Sequence, residues 1–580
     1  MFKACAYSNN VTIWAGCLPD QELADFLGFR ITRVNVATGE RIVQRSHLGF
    51  EGDKNDNWEG QPSDVWPWQK PTFMDFDAVE GETYQYEFCP MVGKPGALTA
   101  REDLKALTNK VGLKSQFGNI SLKFNRGILS TQWLARQLPK GADGAPDYTV
   151  LLEAIKTAGN AIRNRLAGGL IDQLTALIKR ARTEGGRVHL ALYELSDPEL
   201  IACIVDGKDV VSLILSNTGP DDETNKPTRE QLQAAGVDFQ SRMLPGRHIG
   251  HNKSGVYVDA SGTPRAILSG STNWTPTGLC GQANNAIIVE CVELAQIYFA
   301  YWQLLKASGN EQGADLRKAN ATRKPECQLG DGTVQVWFSP NTTEENKPQH
   351  GAATPPDMAE LFHDMENAAE AFFFLTFFPG FPSMVSEAAY LEQKRPELIV
   401  RGAVSSPQAL PRQQQGAGQA ATAEGTTTDG VALFHRNGQS PDIIAAEAIE
   451  QQMGPWVQEL LKAGPDSHAI IHSKVIAIDP MDPAKCSFRT GSHQLGFKAS
   501  YENDENLLTV RGNQEACLAM LVHILDVYEH YRFRWLLYIH ESTFTGYLSS
   551  TPDWQAKYLP GGAARRELEY LTKPAAGQAA

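Results

Sequence analysis

The sequence predicts an α/β protein in which two duplicated lobes form one shared site, preceded by a small β-rich N-terminal domain. Three observations support this fold class. Predicted strands and helices alternate between residues 148 and 545, two segments repeat the same order of elements, and each segment carries the same short motif. Such alternation is typical of α/β layers, and we expect a mostly parallel sheet in each lobe.

Composition places the chain among ordinary folded proteins. It has 580 residues and a mass of 63.6 kDa, with 42% hydrophobic and 21% charged residues. The net charge of −14 argues against a protein that binds nucleic acid over its whole surface. Nine scattered cysteines, none in a CxxC pair, indicate neither a disulfide scaffold nor a zinc ribbon.

Targeting signals are not evident. The start of the chain lacks the charged and then apolar run of a secretory signal. The densest apolar stretch, Ala371 to Phe378, is shorter than the roughly 18 to 20 apolar residues that span a bilayer, and a buried strand is its expected structure. We expect a cytoplasmic protein by default, and secretion without a signal stays open.

The N-terminal part divides into two segments of opposite charge. Residues 1–98 alternate apolar and polar residues between turn signals, which predicts a β domain resembling an immunoglobulin or fibronectin sandwich. Residues 99–147 form a basic connecting segment with the cluster Lys105, Lys110, Lys114, Lys123 and Arg126. This cluster is either a face toward an anionic substrate or a solvated helix surface.

The remaining chain contains the two lobes. We assign the first lobe to residues 148–330, the second to 331–545 and a C-terminal tail to 546–580. Residues 405–430 are rich in Gln, Ala, Gly and Thr without periodicity, and we interpret them as a disordered insertion.

A duplicated motif carries the chemistry. The first copy is His251-Asn-Lys253 with Gly270-Ser271 downstream, and the second is His472-Ser-Lys474 with Gly491-Ser492 downstream at the same interval. A second interval agrees as well, because Asn285 follows His251 at the same distance along the chain as Asn506 follows His472. Two matching intervals rarely arise by chance.

The residue types suit a phosphodiester. On a strand, residues i and i+2 point to the same side, so each lobe presents an imidazole and an ammonium together. One imidazole can attack phosphorus while the other protonates the leaving oxygen. The candidate site residues are the catalytic His251, Lys253, His472 and Lys474 and the phosphate-binding or orienting Ser271, Asn273, Asn284, Ser492, Gln494 and Glu505.

We expect neither a metal ion nor a cofactor, since the cationic side chains can stabilise the transition state. The pairs His248/His251 and His468/His472 have a spacing that converges on a helix, whereas these residues lie on or beside predicted strands.

HxK followed by GSxN, twice in one chain, resembles the phospholipase D superfamily. The second-lobe HSKVIAID is similar to its HxKxxxxD pattern, and GSTNWTPTGL and GSHQLGFKAS are similar to its glycine-serine segments. The resemblance covers residues 148 to 545 and implies a two-lobed fold with a covalent phosphohistidine intermediate. It also implies that His251 is the nucleophile and His472 the general acid and base.

Three positions, Asp259, Gln494 and Asn284, depart from the family pattern. Asp479 is in register, but Asp259 comes one position late and needs a bulge, for which we expect Gly255. Both motif aspartates are expected to be structural. Gln494 replaces an asparagine, and Glu505 is a carboxylate where the first lobe has Asn284. We expect Glu505 to orient His472, which keeps His472 open as the nucleophile.

The expected function is hydrolysis of a phospholipid headgroup phosphodiester, or transfer of the phosphatidyl group to an alcohol. A nuclease of the same superfamily and a catalytically inactive binding protein are the alternatives. The expected partners are the substrate and, peripherally, a membrane. One chain suffices for the site, and the oligomeric state is left open.

Overall fold

The computed structural model describes residues 2–54, 59–127, 138–139, 148–219, 222–405, 409, 433–434, 442–445, 471–538 and 546–575. The insertion predicted at 405–430 lies outside these residues except for Ser405 and Ala409. The end of the chain, 576–580, also lies outside them.

The N-terminal strands form two antiparallel sheets that share one core, and a separate two-stranded sheet of β5 and β6. They are β1 (Phe2–Ser8), β2 (Ile13–Pro19), β3 (Phe26–Asn35), β4 (Arg41–Val43), β5 (Arg45–Ser46), β6 (Gln61–Pro62), β7 (Thr72–Asp75), β8 (Tyr84–Lys94), β9 (Ala97–Ala100) and β10 (Ala106–Leu107). One sheet has the order β1-β2-β7, and the other β10-β8-β3-β4 with β9 on β8. Ile13 and Phe73 from the first sheet pack in one cluster with Phe29 and Tyr86 from the second.

The first lobe contains a sheet of eight strands with the order β11-β12-β18-β17-β16-β13-β14-β15. Its elements are β11 (Gln116–Phe117), β12 (Ile120–Phe124), α1 (Tyr148–Ala154), α2 (Ala161–Ala167), α3 (Leu170–Glu184), β13 (Arg187–Leu192), α4 (Pro198–Asp206), β14 (Val211–Ser216), α5 (Lys226–Ala235), β15 (Asp238–Arg242), β16 (Lys253–Val258), β17 (Pro264–Gly270), α6 (Pro276–Cys280), β18 (Asn285–Glu290), α7 (Val292–Ser308) and α8 (Ala314–Ala321).

The second lobe contains a sheet of nine strands with the order β19-β20-β27-β26-β25-β21-β22-β24-β23. Its elements are β19 (Cys327–Leu329), β20 (Gly332–Ser339), α9 (Pro356–Glu366), β21 (Ala371–Thr376), α10 (Met384–Lys394), β22 (Ile399–Val404), β23 (Leu433–Phe434), β24 (Ile443–Ala445), β25 (Val475–Ile478), β26 (Ser487–Gly491), α11 (Phe497–Glu502), β27 (Glu505–Arg511) and α12 (Gln514–Tyr538).

Seven strands of each sheet have the same order, which confirms the predicted fold class. From β12 to β15 the first sheet has the same order as the second has from β20 to β24, and the HxK segments lie at the start of the equivalent strands β16 and β25. β12 lies within the segment 99–147 that the sequence interpretation treated as a connection. The sheet of the first lobe therefore begins earlier than residue 148.

The expectation of mostly parallel sheets is wrong. Among the strands that the structure describes in the two lobes, only β13-β14-β15 and β21-β22-β24 run parallel, and the motif strands β16-β17-β18 and β25-β26-β27 are antiparallel. Short connections without a helix join β16 to β17 and β25 to β26. Because a parallel pairing needs a longer crossover connection, these strands pair antiparallel. Each sheet is mixed for this reason.

The lobes are packed on each other through one continuous core. Ile267 on β17 and Ile476 on β25 belong to the same buried cluster. Tyr301 on α7 stacks on Phe338 of β20, with ring centroids 3.9 Å apart. Burial of this apolar surface stabilises the contact between the lobes and fixes the position of one motif strand relative to the other.

The C-terminal residues 546–575 pack against the N-terminal domain. They contain a 3-10 helix over Pro552–Tyr558 and α13 (Arg565–Leu571). Trp554 lies with its ring 4.9 Å from that of Phe26, and its Nε1 donates to the carbonyl of Phe26 at 2.8 Å. None of the helices within the described ranges is both long and apolar enough to cross a membrane.

Candidate active site

The two HxK segments meet at the contact between the lobes. The imidazole of His251 lies beside that of His472, with ring centroids 6.5 Å apart. Both histidines are buried, as are Lys253 and Lys474. Each lobe supplies one imidazole and one ammonium, so the site is complete only when the lobes are together.

An aromatic ring lies beside each HxK pair. Tyr193 directly follows β13, and its ring centroid is 5.0 Å from that of His251 and 5.0 Å from Nζ of Lys253. Phe377 directly follows β21, with its centroid 5.5 Å from that of His472 and 5.5 Å from Nζ of Lys474. The sequence interpretation missed both rings, although each occupies the same place after an equivalent strand.

Glu505 orients the histidine of the opposite lobe. Its Oε1 is 2.7 Å from Nδ1 of His251, and both side chains are buried. The expectation that Glu505 orients His472 is therefore wrong. The start of β27 reaches across to the first lobe, and this crossing depends on how the lobes pack rather than on spacing within one repeat.

Asn284 has the corresponding place beside His472. Its Oδ1 is 2.9 Å from Nδ1 of His472, while its Nδ2 donates to the carbonyl of Gly278 at 2.9 Å. This donation fixes the amide orientation, so Nδ1 of His472 is the donor. Each histidine thus carries its neutral-form proton on Nδ1, which gives Nε2 the lone pair.

The motif glycines allow a close approach of two chain segments. Gly270 and Gly491 have φ values of +144° and +146°, and a Cβ there would lie 2.3 Å and 2.2 Å from the carbonyl oxygens of Asn285 and Asn506. A side chain does not fit in this place. The glycine keeps the following serine within reach of the asparagine on the next strand.

The motif serines are engaged with these asparagines. Oγ of Ser271 donates to Oδ1 of Asn284 at 2.8 Å and accepts from the backbone N–H of Asn285 at 3.1 Å. Oγ of Ser492 accepts from the backbone N–H of Asn506 at 3.1 Å. These contacts indicate that the serines orient the strand starts in this structure.

The two predicted amides lie in different surroundings. Nδ2 of Asn273 donates to Oε2 of Glu194, a residue that the sequence interpretation did not single out. Oδ1 of Asn273 and Oε1 of Gln494 are buried and have no hydrogen-bond partner within the described residues. The backbone N–H of Gln494 donates to Oε2 of Glu505 at 2.9 Å.

The motif aspartates lie away from the imidazoles and brace turns. The carboxylate of Asp479 accepts the backbone N–H groups of residues 369, 370 and 371 at 2.6 to 3.0 Å. Asp259 instead accepts the N–H groups of Ser261 and Thr263 at 2.9 Å within the turn after β16. The register shifts between Tyr257 and Val258, not at Gly255 as expected.

Burial and the lysines lower the pKa of both imidazoles. Burial, followed by the charge of Lys253, lowers the pKa of His251 to about 4, although Glu505 acts in the opposite direction. Burial and the two lysines lower the pKa of His472 well below its usual value. Burial also raises the pKa of Glu505, but its pairing with His251 outweighs this and lowers the pKa overall.

Buried polar contacts join the lobes around the site. Arg242 at the end of β15 forms an ion pair with Asp504, with its Nε 2.6 Å from Oδ2. Nδ2 of Asn285 donates to Oγ1 of Thr490 at 2.7 Å, and Oγ of Ser269 donates to Oδ1 of Asn506 at 2.6 Å. Asp504 precedes Glu505, so this ion pair holds the strand start that carries the orienting carboxylate.

The basic cluster of residues 105–126 is not a helix surface. Lys123 lies on the strand β12, and no helix other than a single 3-10 turn occurs between residues 101 and 127. Lys105 lies 3.5 Å from Glu87, and Lys114 lies 2.8 Å from Glu515. Two of the five cations are thus neutralised by neighbouring carboxylates.

No protein-family model matches the chain. Phospholipase D of Rickettsia conorii is 27% identical to it over 124 residues, which are 21% of this chain and 58% of that protein. The chain therefore spans less than two thirds of the length of this relative.

Among solved structures, the phosphatidylserine synthase of Haemophilus influenzae is 14% identical, with a TM-score of 0.40, over 70% of this chain and 93% of that one. The yeast tyrosyl-DNA phosphodiesterase is 8% identical, with a TM-score of 0.30, over 59% of this chain and 88% of that one.

Proposed function

We propose that the chain belongs to the phospholipase D superfamily, and that it hydrolyses the headgroup phosphodiester of phospholipids or transfers the phosphatidyl group to an alcohol. The pairing of two imidazoles from two lobes, with the two lysines and the orienting groups around them, supports phosphodiester chemistry.

In the proposed reaction, Nε2 of His251 attacks phosphorus and forms a P–N bond while the P–O bond to the headgroup breaks. The leaving oxygen takes a proton from the protonated form of His472, which becomes neutral. Water then gives a proton to neutral His472 and attacks phosphorus, which breaks the P–N bond, releases neutral His251 and returns His472 to its protonated form. Lys253 and Lys474 stabilise the charge on the non-bridging oxygens.

The single observation that favours a lipid is an apolar loop beside His472. This Phe loop, residues 377–382, begins with Phe377 against His472 and continues with Phe378 and Phe381, which are 41% and 63% exposed. Its other end lies against the second glycine-serine segment, where the N–H of Phe497 donates to the carbonyl of Pro382 at 3.1 Å. Exposed aromatic rings at a site entrance suit contact with acyl chains.

A nuclease would need a basic groove with stacking aromatic rings. The Phe loop carries no lysine or arginine, and the cations Lys105 and Lys114 pair with carboxylates. A catalytically inactive binding protein would need no oriented imidazoles. Both alternatives are tested by the same assay.

The proposal is tested by incubating the purified protein in EDTA with phosphatidylcholine, phosphatidylethanolamine, phosphatidylglycerol, single-stranded DNA and RNA. We expect release of headgroup from lipid and no cleavage of nucleic acid. Cleavage of DNA or RNA alone would indicate the nuclease, and absence of turnover on every substrate would indicate the binding protein. Loss of turnover in EDTA would contradict the metal-independent reaction.

We expect an acidic pH optimum. The pKa values of both imidazoles lie below the ordinary 6.5, and the reaction needs one of them neutral and the other protonated. Raising the pH above both values removes the proton that the leaving oxygen needs. The ratio kcat/KM on a soluble phosphodiester should therefore peak below pH 6.5 and decline toward pH 8, whereas a plateau through pH 8 would contradict this.

The Phe loop provides a second prediction. Replacing Phe381 by serine removes apolar surface worth about 1.5 to 3 kcal/mol on full burial, so partition onto vesicles should weaken by about tenfold or more. Turnover of phosphatidylcholine vesicles should fall accordingly, while turnover of a monomeric short-chain phosphodiester should not change. Val79→Ser, which alters a residue 57% exposed on the N-terminal domain, is the matched control. An equal loss on both substrates would contradict a role in membrane contact.

A further inference from the structure

A carboxylate lies at the first-lobe side of the site and has no role in the proposed reaction. Glu194 follows Tyr193 at the end of β13, and its backbone carbonyl accepts the N–H of Trp274 at 3.1 Å. Its Oε2 accepts Nδ2 of Asn273. The residue is therefore held from two sides next to the ring that contacts His251 and Lys253.

This contact determines which atom Asn273 presents to its surroundings. Because Nδ2 donates to a carboxylate, the amide orientation is fixed, and Oδ1 is an acceptor. Oδ1 is buried, and Asn273 is 5% exposed, yet no donor within the described residues reaches this atom. A buried acceptor without a donor costs free energy, which a ligand that donates a hydrogen bond would recover.

The charges of the site point the same way. Glu194 is a largely buried carboxylate within electrostatic range of Lys253 and Lys474. Within the described residues, Glu194 forms no direct ion pair with either lysine. Its carboxylate can therefore form an ion pair with a bound ligand. An ammonium group on the substrate would give this carboxylate a direct ionic partner.

The second lobe has no equivalent carboxylate. The residue after Phe377 is Phe378, which is 41% exposed, whereas the residue after Tyr193 is Glu194. The residue after the aromatic ring is thus acidic in the first lobe and apolar in the second. Burial raises the pKa of Glu194 although both lysines lower it, and a bound cation would add to the effect of the lysines and favour the ionised carboxylate.

We propose that Glu194 and Oδ1 of Asn273 form a subsite for a primary ammonium group on the alcohol part of a zwitterionic phosphodiester. This inference rests on the proposed function and specifies its substrate. An ethanolamine headgroup supplies both the positive charge and the N–H donors. Choline supplies the charge without an N–H donor, and glycerol supplies O–H donors without the charge.

The subsite is tested first by turnover of three soluble short-chain lipids with ethanolamine, choline and glycerol headgroups. We expect the highest kcat/KM for ethanolamine. Glu194→Gln should lower the preference for ethanolamine over glycerol by about tenfold or more, as for the loss of one charge-assisted hydrogen bond. Glu230→Gln, on the exposed face of α5, is the matched control and should leave the preference unchanged.

Binding is the second measurement, and it does not depend on turnover. By calorimetry, the His251→Ala variant should bind sn-glycero-3-phosphoethanolamine about tenfold or more tightly than sn-glycero-3-phosphoglycerol, and adding Glu194→Gln should remove the difference. Turnover with equal preference in the wild type and Glu194→Gln would overturn the subsite and leave the proposed function intact. Absence of turnover together with the binding preference would support the subsite and overturn the function.

Discussion

The His251→Ala variant is expected to lose phosphodiester turnover by about 10⁴-fold or more, because it removes the group that forms the covalent bond to phosphorus. The geometry favours this histidine as the nucleophile. Glu505 contacts Nδ1 of His251 at 2.7 Å, stabilises the cation that develops on attack, and leaves Nε2 free for phosphorus. His472 has a neutral amide in that place, which suits a group that gains and loses a proton.

The loss is measured as release of headgroup from lipid in EDTA, with folding checked by circular dichroism and thermal unfolding. His248→Ala is the matched control. His248 lies shortly before His251 in the chain, but its ring forms hydrogen bonds with Gln312 and Asn346 rather than with the catalytic residues. We expect little change in turnover for this control. Unchanged turnover in His251→Ala would contradict the proposed reaction.

The Arg242→Ala variant is expected to be destabilised by about 3 to 5 kcal/mol, because it leaves the carboxylate of Asp504 buried without its cationic partner, with Gln312 as a remaining neutral donor. Arg242 is 1% exposed, and its guanidinium also donates to the carbonyls of Gly309 and Glu311. The pair joins the two lobes and holds the residue before Glu505. We therefore also expect turnover to fall in the folded variant, because His251 loses its fixed orientation.

Stability is measured by urea and thermal unfolding, followed by both circular dichroism and tryptophan fluorescence. Arg265→Ala is the matched control, because Arg265 forms an ion pair with Asp259 in which the arginine side chain is 44% exposed and the aspartate side chain 20% exposed. An exposed pair of this kind contributes about 0 to 1 kcal/mol. Equal stability of the two variants would contradict the structural importance of the pair between the lobes.

The positions of the catalytic pairs could be predicted from the sequence because they depend on local structure. An HxK segment at the start of a strand and a GSx turn at a fixed interval after it appear in each repeat, and both repeats fold alike. The motif glycines explain this similarity. At each of them the backbone passes so close to a carbonyl oxygen of the next strand that no other residue fits. The duplication also predicted that two lobes share one site.

Other features depend on contacts between distant parts of the chain. Glu505 contacts His251 across the lobes, and spacing within one repeat could not indicate this. Glu194 lies far from the motif in sequence. It contacts Asn273 because the end of β13 lies beside the first glycine-serine segment in the folded lobe. The strand β12 joins the sheet by pairing with β18, which comes much later in the chain, so charge alone led to its assignment as a connection.

The most direct test of the two-histidine mechanism is the mass of the His472→Ala variant after incubation with a phosphatidyl ester of p-nitrophenol. This leaving group needs no proton, so attack by His251 can proceed, whereas water is not activated to release the product. We expect a mass gain equal to one phosphatidyl group, mapped to His251, and no gain when His251 is also replaced by alanine. A burst of p-nitrophenol with unchanged protein mass, or an adduct on another residue, would contradict this mechanism.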